Sequence, residues 1–309
     1  MRRWCAVDWL VAGYATFVAV LVVVCAVPQA PLVVAAHATL LAFMWWLPPR
    51  GAPWERLQPG ESRGLARLRA VARFLRYTYP ALLLTPFFEE VALFVNAVAP
   101  GHPYWFEAHL IAADRAVFGG TPAIMLSQAG NGVLDEVMHG FYLSYYLLIT
   151  AGIVLAWRGP VRGLPTPGVG FHTVFTGTIL GFFLSFVSYP FLPARGPWEH
   201  AALVDGLRPF GGWVFTRAID LIIAGAAVSG GCFPSAHVSG TWALTFGLYR
   251  YDRRAARWFT FCATGLSVAC VYTRYHHALD VVAGVTVAAV AAFVSRGLTR
   301  RAPRYGLNR

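Results

Sequence analysis

Lysine is missing from this chain of 309 residues, and charge of any kind is scarce: Asp, Glu, Lys and Arg make up 13% of it, against roughly 25% in a typical soluble domain. All 25 basic residues are therefore Arg, and a motif that depends on a Lys ammonium cannot be met. Cysteine is sparse as well. The five, at positions 5, 25, 232, 262 and 270, show neither CxxC nor paired spacing. That excludes a disulfide framework and the signature of a structural zinc site, and leaves them as small apolar fillers. No internal repeat or low-complexity tract is present, which sets aside solenoids and arrays.

What fills the chain is apolar sequence, 57% of it, in long blocks. "WLVAGYATFVAVLVVVCAVP" (9–28) carries only Thr16 as an interior polar residue, and a run of about 20 such residues crosses a bilayer. It lacks a small-residue cleavage site and a second block follows almost at once, so it reads as a retained helix and not a signal peptide. Further blocks lie near 30–47, 75–98, 138–157, 172–191, 236–250, 258–273 and 278–295. The expected fold is all-α: a polytopic membrane bundle of about eight transmembrane helices.

The net charge of +11 could suit nucleic acid, but the placement of the Arg residues argues for a membrane topology instead. Twenty of them lie in the N-terminus, the 48–76 linker, the 158–170 loop, the 251–257 turn with its flanks, and the C-terminus. Only Arg115, Arg195, Arg208, Arg217 and Arg274 lie elsewhere. With eight spans, Arg-rich and Arg-poor connections alternate, which places both termini in the cytoplasm and segments 99–137 and 192–235 outside. The expected organisation is a two-helix transmembrane hairpin (1–47), a basic cytoplasmic linker (48–74), a six-helix core (75–295) and a basic tail (296–309). The bilayer is the expected partner, and no nucleic acid is.

Two clusters break the apolar pattern on that outer side. In "HHALD", His276 and Asp280 are four residues apart and share a helix face. A carboxylate that accepts the Nδ1 proton of an imidazole leaves Nε2 with a free lone pair, which makes a nucleophile. His277 also lies within reach of Asp280, although the spacing prefers His276. An unpaired Asp at the head of "VVAGVTVAAVAAFV" would be costly in a bilayer, so a partner is called for. In "FPSAHVSGTWAL", a Pro-Ser turn leads into a helix whose first amides suit an anion, with the Ser235 hydroxyl as a further donor and His237 at the edge. An ordinary helix cap at Ser235 accounts for this stretch equally well on its own. "SYPFLPARGPWEH" adds Arg195, whose guanidinium fork matches phosphate oxygens.

Taken together, these segments resemble the type-2 phosphatidic acid phosphatase superfamily, whose signatures are Lys-x6-Arg-Pro, Pro-Ser-Gly-His and Ser-Arg-x5-His-x3-Asp. "PSAH" (234–237) matches the second with Ala236 for Gly, and His276-x3-Asp280 matches the end of the third. Arg195 fits the first, but Ser188 stands seven residues before it and Gly196 separates it from Pro197. The Ser-Arg pair of the third falls on Ala269 and Cys270, and Arg274 is the nearest replacement cation. In these departures the chain is most similar to the inositol-phosphorylceramide-synthase-like branch. The resemblance covers residues 75–295, a six-helix phosphatase-type core with two helices added before it. It implies that His276 attacks phosphorus, Asp280 orients it and His237 protonates the leaving alkoxide, with no metal or other cofactor. Arg195, Arg274, Ser235 and the Ala236 amide would hold the phosphoryl oxygens.

The expected activity is hydrolysis of a membrane lipid phosphate through a phosphohistidine, in the cell membrane on the extracytoplasmic face. Transfer to a lipid alcohol, as in inositol-phosphorylceramide or sphingomyelin synthases, is the alternative; a transporter or a noncatalytic membrane protein is a further one. Glu89 and Glu90, intramembrane carboxylates in "TPFFEEVALFVNAV", are candidates for headgroup or acceptor recognition together with His277. Asp135, Glu136 and His139 read as solvated residues at the outer mouth of a helix, and the Tyr run in "GFYLSYY" (140–146) as packing or an interfacial belt.

Overall fold

The computed structural model of the protein describes residues 4–48, 60, 62–98, 105–158, 167–226 and 228–300. Arg2, Arg3, most of the basic linker, residues 99–104, the 159–166 loop and the tail from 301 onward lie outside the described residues. The helices run α1 (Ala6–Val24), α2 (Ala30–Trp46), α3 (Arg63–Leu82), α4 (Leu84–Glu89), α5 (Val91–Val98), α6 (Glu107–Phe118), α7 (Pro122–Gln128), α8 (Gly132–Arg158), α9 (Pro167–Ser188), α10 (Ala201–Val204), α11 (Val214–Ala226), α12 (Ala236–Leu248), α13 (Arg253–Tyr272) and α14 (Ala278–Thr299). The architecture is all-helical, as the apolar blocks imply. Among the described residues the extended chain pairs only in an isolated bridge between Ala194 and Gly231.

Proline accounts for the main difference from the expected helices. The block at 75–98 is divided into α3, α4 and α5. Pro86 lacks the N–H that would bond back to residue 82, which accounts for the turn at Leu83 just after Pro80; the chain turns again at Glu90. The segments between the expected spans also contain helices of their own, α6, α7, α10 and α11, where charges interrupt the apolar pattern too often to read as spans. Four described helices are long and apolar enough to cross a membrane: α1, Gly132–Trp157 of α8, Gly170–Ser188 of α9, and α14. Of the other expected spans, α2 is shorter. Helix α12 has 13 residues, about 20 Å of rise against a hydrocarbon core of about 30 Å. Helix α13 is long enough but opens with Arg253, Arg254 and Arg257.

Helices α9, α12 and α14 form the centre of the bundle, with α8 and α13 packed beside α12. Small residues let these backbones meet. A Cβ on Gly240 would stand 2.2 Å from a ring carbon of Phe182, and one on Gly284 would stand 2.9 Å from the Ser235 carbonyl oxygen. Both glycines are therefore required by close approach, and the second brings α14 against the turn that precedes α12. The N-terminal hairpin joins the same apolar core through α1, which packs on α9. It is tied to α3 by a buried charge: Arg76 Nη1 lies 3.3 Å from Asp8 Oδ1, which also accepts the Tyr79 hydroxyl at 2.8 Å. Pairing is what makes an Asp tolerable inside apolar packing.

Candidate active site

The "FPSAH" turn is fixed from two sides before its helix begins. Tyr189 OH, at the end of α9, donates to Pro234 O at 3.0 Å, and Ser188 Oγ donates to Phe233 O at 3.2 Å. From the other side, Ser235 N donates to Asp280 O at 3.2 Å. Ser235 then caps α12, its Oγ accepting from Val238 N at 3.4 Å. The second cluster follows the end of α13, where Arg274 takes a left-handed conformation with φ 65°. That costs a non-glycine residue on the order of 1 kcal/mol. The turn closes with His276 N donating to Cys270 O at 3.0 Å.

The structure brings His276, Asp280, Ser235 and His237 together. His276 Nδ1 faces Asp280 Oδ2 at 3.4 Å, and its Nε2 lies 3.1 Å from Ser235 Oγ. The rings of His276 and His237 face one another with centroids 5.9 Å apart. Both imidazoles line a cavity of about 190 Å³, room enough for a phosphate group. Tyr142 and Tyr145, which read as packing in the sequence, form its wall beside His237: Tyr142 OH lies 3.4 Å from His237 Nε2, and the Tyr145 ring meets the imidazole edge-on at 4.5 Å.

One member of the cluster was not expected. The Cys232 thiol donates to Asp280 Oδ2 at 2.7 Å and lies 3.3 Å from His276 Nδ1. Burial, reinforced by the Asp280 charge, pushes this thiol well above its ordinary value, so it stays protonated and donates. Asp280 Oδ2 also accepts His277 N at 2.8 Å, whereas Asp280 Oδ1 is buried with no hydrogen-bond partner among the described residues. A lone Cys in an apolar chain carries no sequence signal that would separate this role from filling space.

Other predicted site residues lie around this centre. Arg195 directs its guanidinium away from the cavity, with Nε donating to Glu107 Oε1 at 2.7 Å and the group stacked 4.4 Å from the Trp105 ring centroid. Arg274 donates to Ser127 Oγ at 2.9 Å and to Arg208 O at 3.1 Å, and packs over Phe210. Burial, with Arg208 nearby, lowers its ordinary value. No Arg lines the cavity among the described residues, whereas Glu89 and Glu199 do. Glu90 turns the other way and meets His37 Nε2 of α2 at 2.8 Å. His277 points its Nε2 at Arg195 O, 3.2 Å away, whereas His276 lines the cavity.

Two carboxylates of α6 support the cluster from outside. Asp114 accepts Ala278 N at 3.1 Å and Leu279 N at 3.2 Å, which caps the start of α14, and Glu107 holds Arg195. Burial raises the Asp114 carboxyl, with the two amides opposing. Their sevenfold spacing places both on one helix face, a signal present in the sequence but easily passed over in a segment read as a loop.

The expectation that Asp135, Glu136 and His139 are solvated is corrected. Asp135 and His139 are fully buried. Asp135 takes both Arg208 Nη atoms at 2.8 and 2.7 Å, Tyr272 OH at 2.6 Å and Gly211 N at 2.8 Å. Glu136 accepts the amides of residues 213–216 and so caps α11. Residues 208–216 are docked onto α8 by these two residues. Removing one partner of a buried ion pair costs about 3–5 kcal/mol, and Asp135→Ala is expected to lose about 3 kcal/mol because Arg208 can reach water. Thermal unfolding in detergent would show it; an unchanged midpoint would mean that the network carries no stability.

The family model described as the PAP2 superfamily matches residues 108–294, a span that runs from α6 to α14 and contains every residue of the cluster. No curated protein matches the chain, and no solved structure does.

Proposed function

The chain belongs to the PAP2 superfamily, a lipid phosphatase and phosphotransferase family, and on that premise we propose that it hydrolyses a membrane lipid phosphate through a phosphohistidine on His276. The observation that carries this reading is the arrangement of His276: Nδ1 toward Asp280, Nε2 toward Ser235, and the ring on the wall of a cavity that it shares with His237. Asp280 holds the Nδ1 proton, so the Nε2 lone pair attacks phosphorus in line. The P–O bond to the lipid breaks, and the alkoxide takes a proton from His237. Water then attacks the phosphohistidine as His237 removes its proton, and phosphate leaves with the His276–phosphorus bond broken. Ser235 Oγ and the start of α12 hold the phosphoryl oxygens, where charge builds in the transition state. Arg195 and Arg274 exchange Glu107 and Ser127 for phosphate oxygens when substrate enters; Gly196, next to Arg195, already lines the cavity. Little of this needs covalent strain, since phosphoryl transfer is mostly positioning and neutralisation.

The alternation of Arg along the chain supports an extracytoplasmic site with both termini in the cytoplasm. The cavity has room for the phosphate of a lipid headgroup. A second reading has one observation in its favour. Glu89 lines the same cavity and can accept a hydrogen bond from a lipid alcohol, as a phosphotransferase of the inositol-phosphorylceramide-synthase-like branch requires. Purified protein given labelled phosphatidic acid or labelled phosphatidylinositol, each with and without ceramide, separates the two. Free phosphate released at the same rate in both arms is expected. Product that appears only with the alcohol, and no free phosphate, would replace hydrolysis by transfer.

A further inference from the structure

We propose that Cys232, His276 and Asp280 form a binding site for a thiophilic divalent cation of the zinc type, and that its occupancy holds the enzyme inactive. The three ligand atoms already face one another: Cys232 Sγ to Asp280 Oδ2 is 2.7 Å, Cys232 Sγ to His276 Nδ1 is 3.3 Å, and His276 Nδ1 to Asp280 Oδ2 is 3.4 Å. Tetrahedral zinc, with Zn–S of about 2.3 Å and Zn–N of about 2.0–2.1 Å, sets its ligand atoms roughly 3.3–3.6 Å apart. Two of the three separations fall in that range, and the third needs the thiol to move back by less than about 1 Å.

Charge and surroundings agree with the geometry. A thiolate, a carboxylate and a neutral imidazole carry two negative charges, which a divalent cation cancels; the thiol proton leaves to solvent as the S–metal bond forms. All three side chains are buried, and Asp280 Oδ1 has no partner among the described residues. The outer contacts that a zinc site needs are present as well. His276 Nε2 faces Ser235 Oγ at 3.1 Å, and Asp280 Oδ2 accepts His277 N at 2.8 Å. Cys232 and His276 line the cavity, whose charged side chains are Glu89 and Glu199, so a cation meets carboxylates on its way in. The soft thiolate selects zinc-like ions over magnesium or calcium.

The inhibitory consequence rests on the function proposed above. With the metal on Nδ1, the ring proton sits on Nε2 and is committed to Ser235, and Asp280 no longer supports attack. Inhibition thus follows from the tautomer, without closing the cavity.

The test uses the full chain in detergent with Co²⁺ and Zn²⁺. Cobalt is expected to give a thiolate charge-transfer band that zinc abolishes, that Cys232→Ser lacks and that Cys262→Ala keeps. Zinc, but not magnesium, is expected to inhibit release of phosphate from phosphatidic acid. In Cys232→Ser the half-inhibiting concentration, taken against that variant's own metal-free rate, should rise by more than about 100-fold, beyond the roughly 10–100-fold cost of losing an outer contact. Absence of the band, or equal zinc inhibition in Cys232→Ser, would overturn the inference and leave hydrolysis intact. A band in a protein that releases no phosphate from any lipid would keep the metal site and remove the function it is said to control.

Discussion

His276→Ala is expected to lower turnover by about 10,000-fold or more, the largest effect of any single change in the chain. Losing the nucleophile of a catalytic unit removes nearly the whole contribution of that unit, because the remaining members have nothing to activate. Residual rate then comes from positioning by Ser235, His237 and the start of α12. The side chain is buried and its neighbours are Ser235, Cys232 and His237, so the variant leaves a small void worth about 1–3 kcal/mol and should still fold. Thermal unfolding in detergent checks that point. Rapid acid-free quenching of the wild-type protein with labelled lipid phosphate should trap an acid-labile label on the chain, and the variant should trap none. A His276→Ala protein that folds and keeps full turnover would end the phosphohistidine reading.

The second large effect is expected at Asp280. Asp280→Asn keeps the size of the side chain but replaces an acceptor by an amide that also donates. In the native arrangement Oδ2 receives the Cys232 thiol and His277 N and stands 3.4 Å from His276 Nδ1. An amide nitrogen in that place would turn Nδ1 into an acceptor and move the ring proton to Nε2, the atom that must attack. A fall in kcat of about 1,000–10,000-fold follows, by analogy with the loss seen when the carboxylate behind a catalytic His becomes an amide. KM should change by less than about tenfold, since Asp280 does not reach the cavity wall. A variant whose kcat falls less than its affinity would show that Asp280 binds substrate instead of setting the tautomer.

The residues that meet through local spacing were legible in the sequence. His276 and Asp280 are four apart, and "PSAH" carries its own cap and turn, so helix periodicity alone brings each pair to one face. That the two clusters converge was an expectation from the placement of the Arg residues, and the structure brings His276 and Ser235 to 3.1 Å. Side chains that choose among distant partners were not legible. Arg195 and Arg274 have long, flexible stems, and the structure gives them to Glu107 and to Ser127 with Phe210. Only tertiary contacts could decide that. Asp135 read as solvated because its partner Arg208 lies 73 residues away, and Asp114 drew no reading at all because its partner, the start of α14, lies 164 residues on. The broken third helix was visible in principle at Pro80 and Pro86, but a hydropathy window averages across such breaks.

The cap that Asp114 places on α14 has a consequence in time. α14 follows every other described helix in the chain, and it brings in Asp280, with His276 just ahead of it. By then α6 has already been made, with Asp114 ready to receive the amides of Ala278 and Leu279. A growing chain that has reached only α13 holds Ser235 and His237 but has no nucleophile. On the proposed function, the site is therefore incomplete until the last described helix docks.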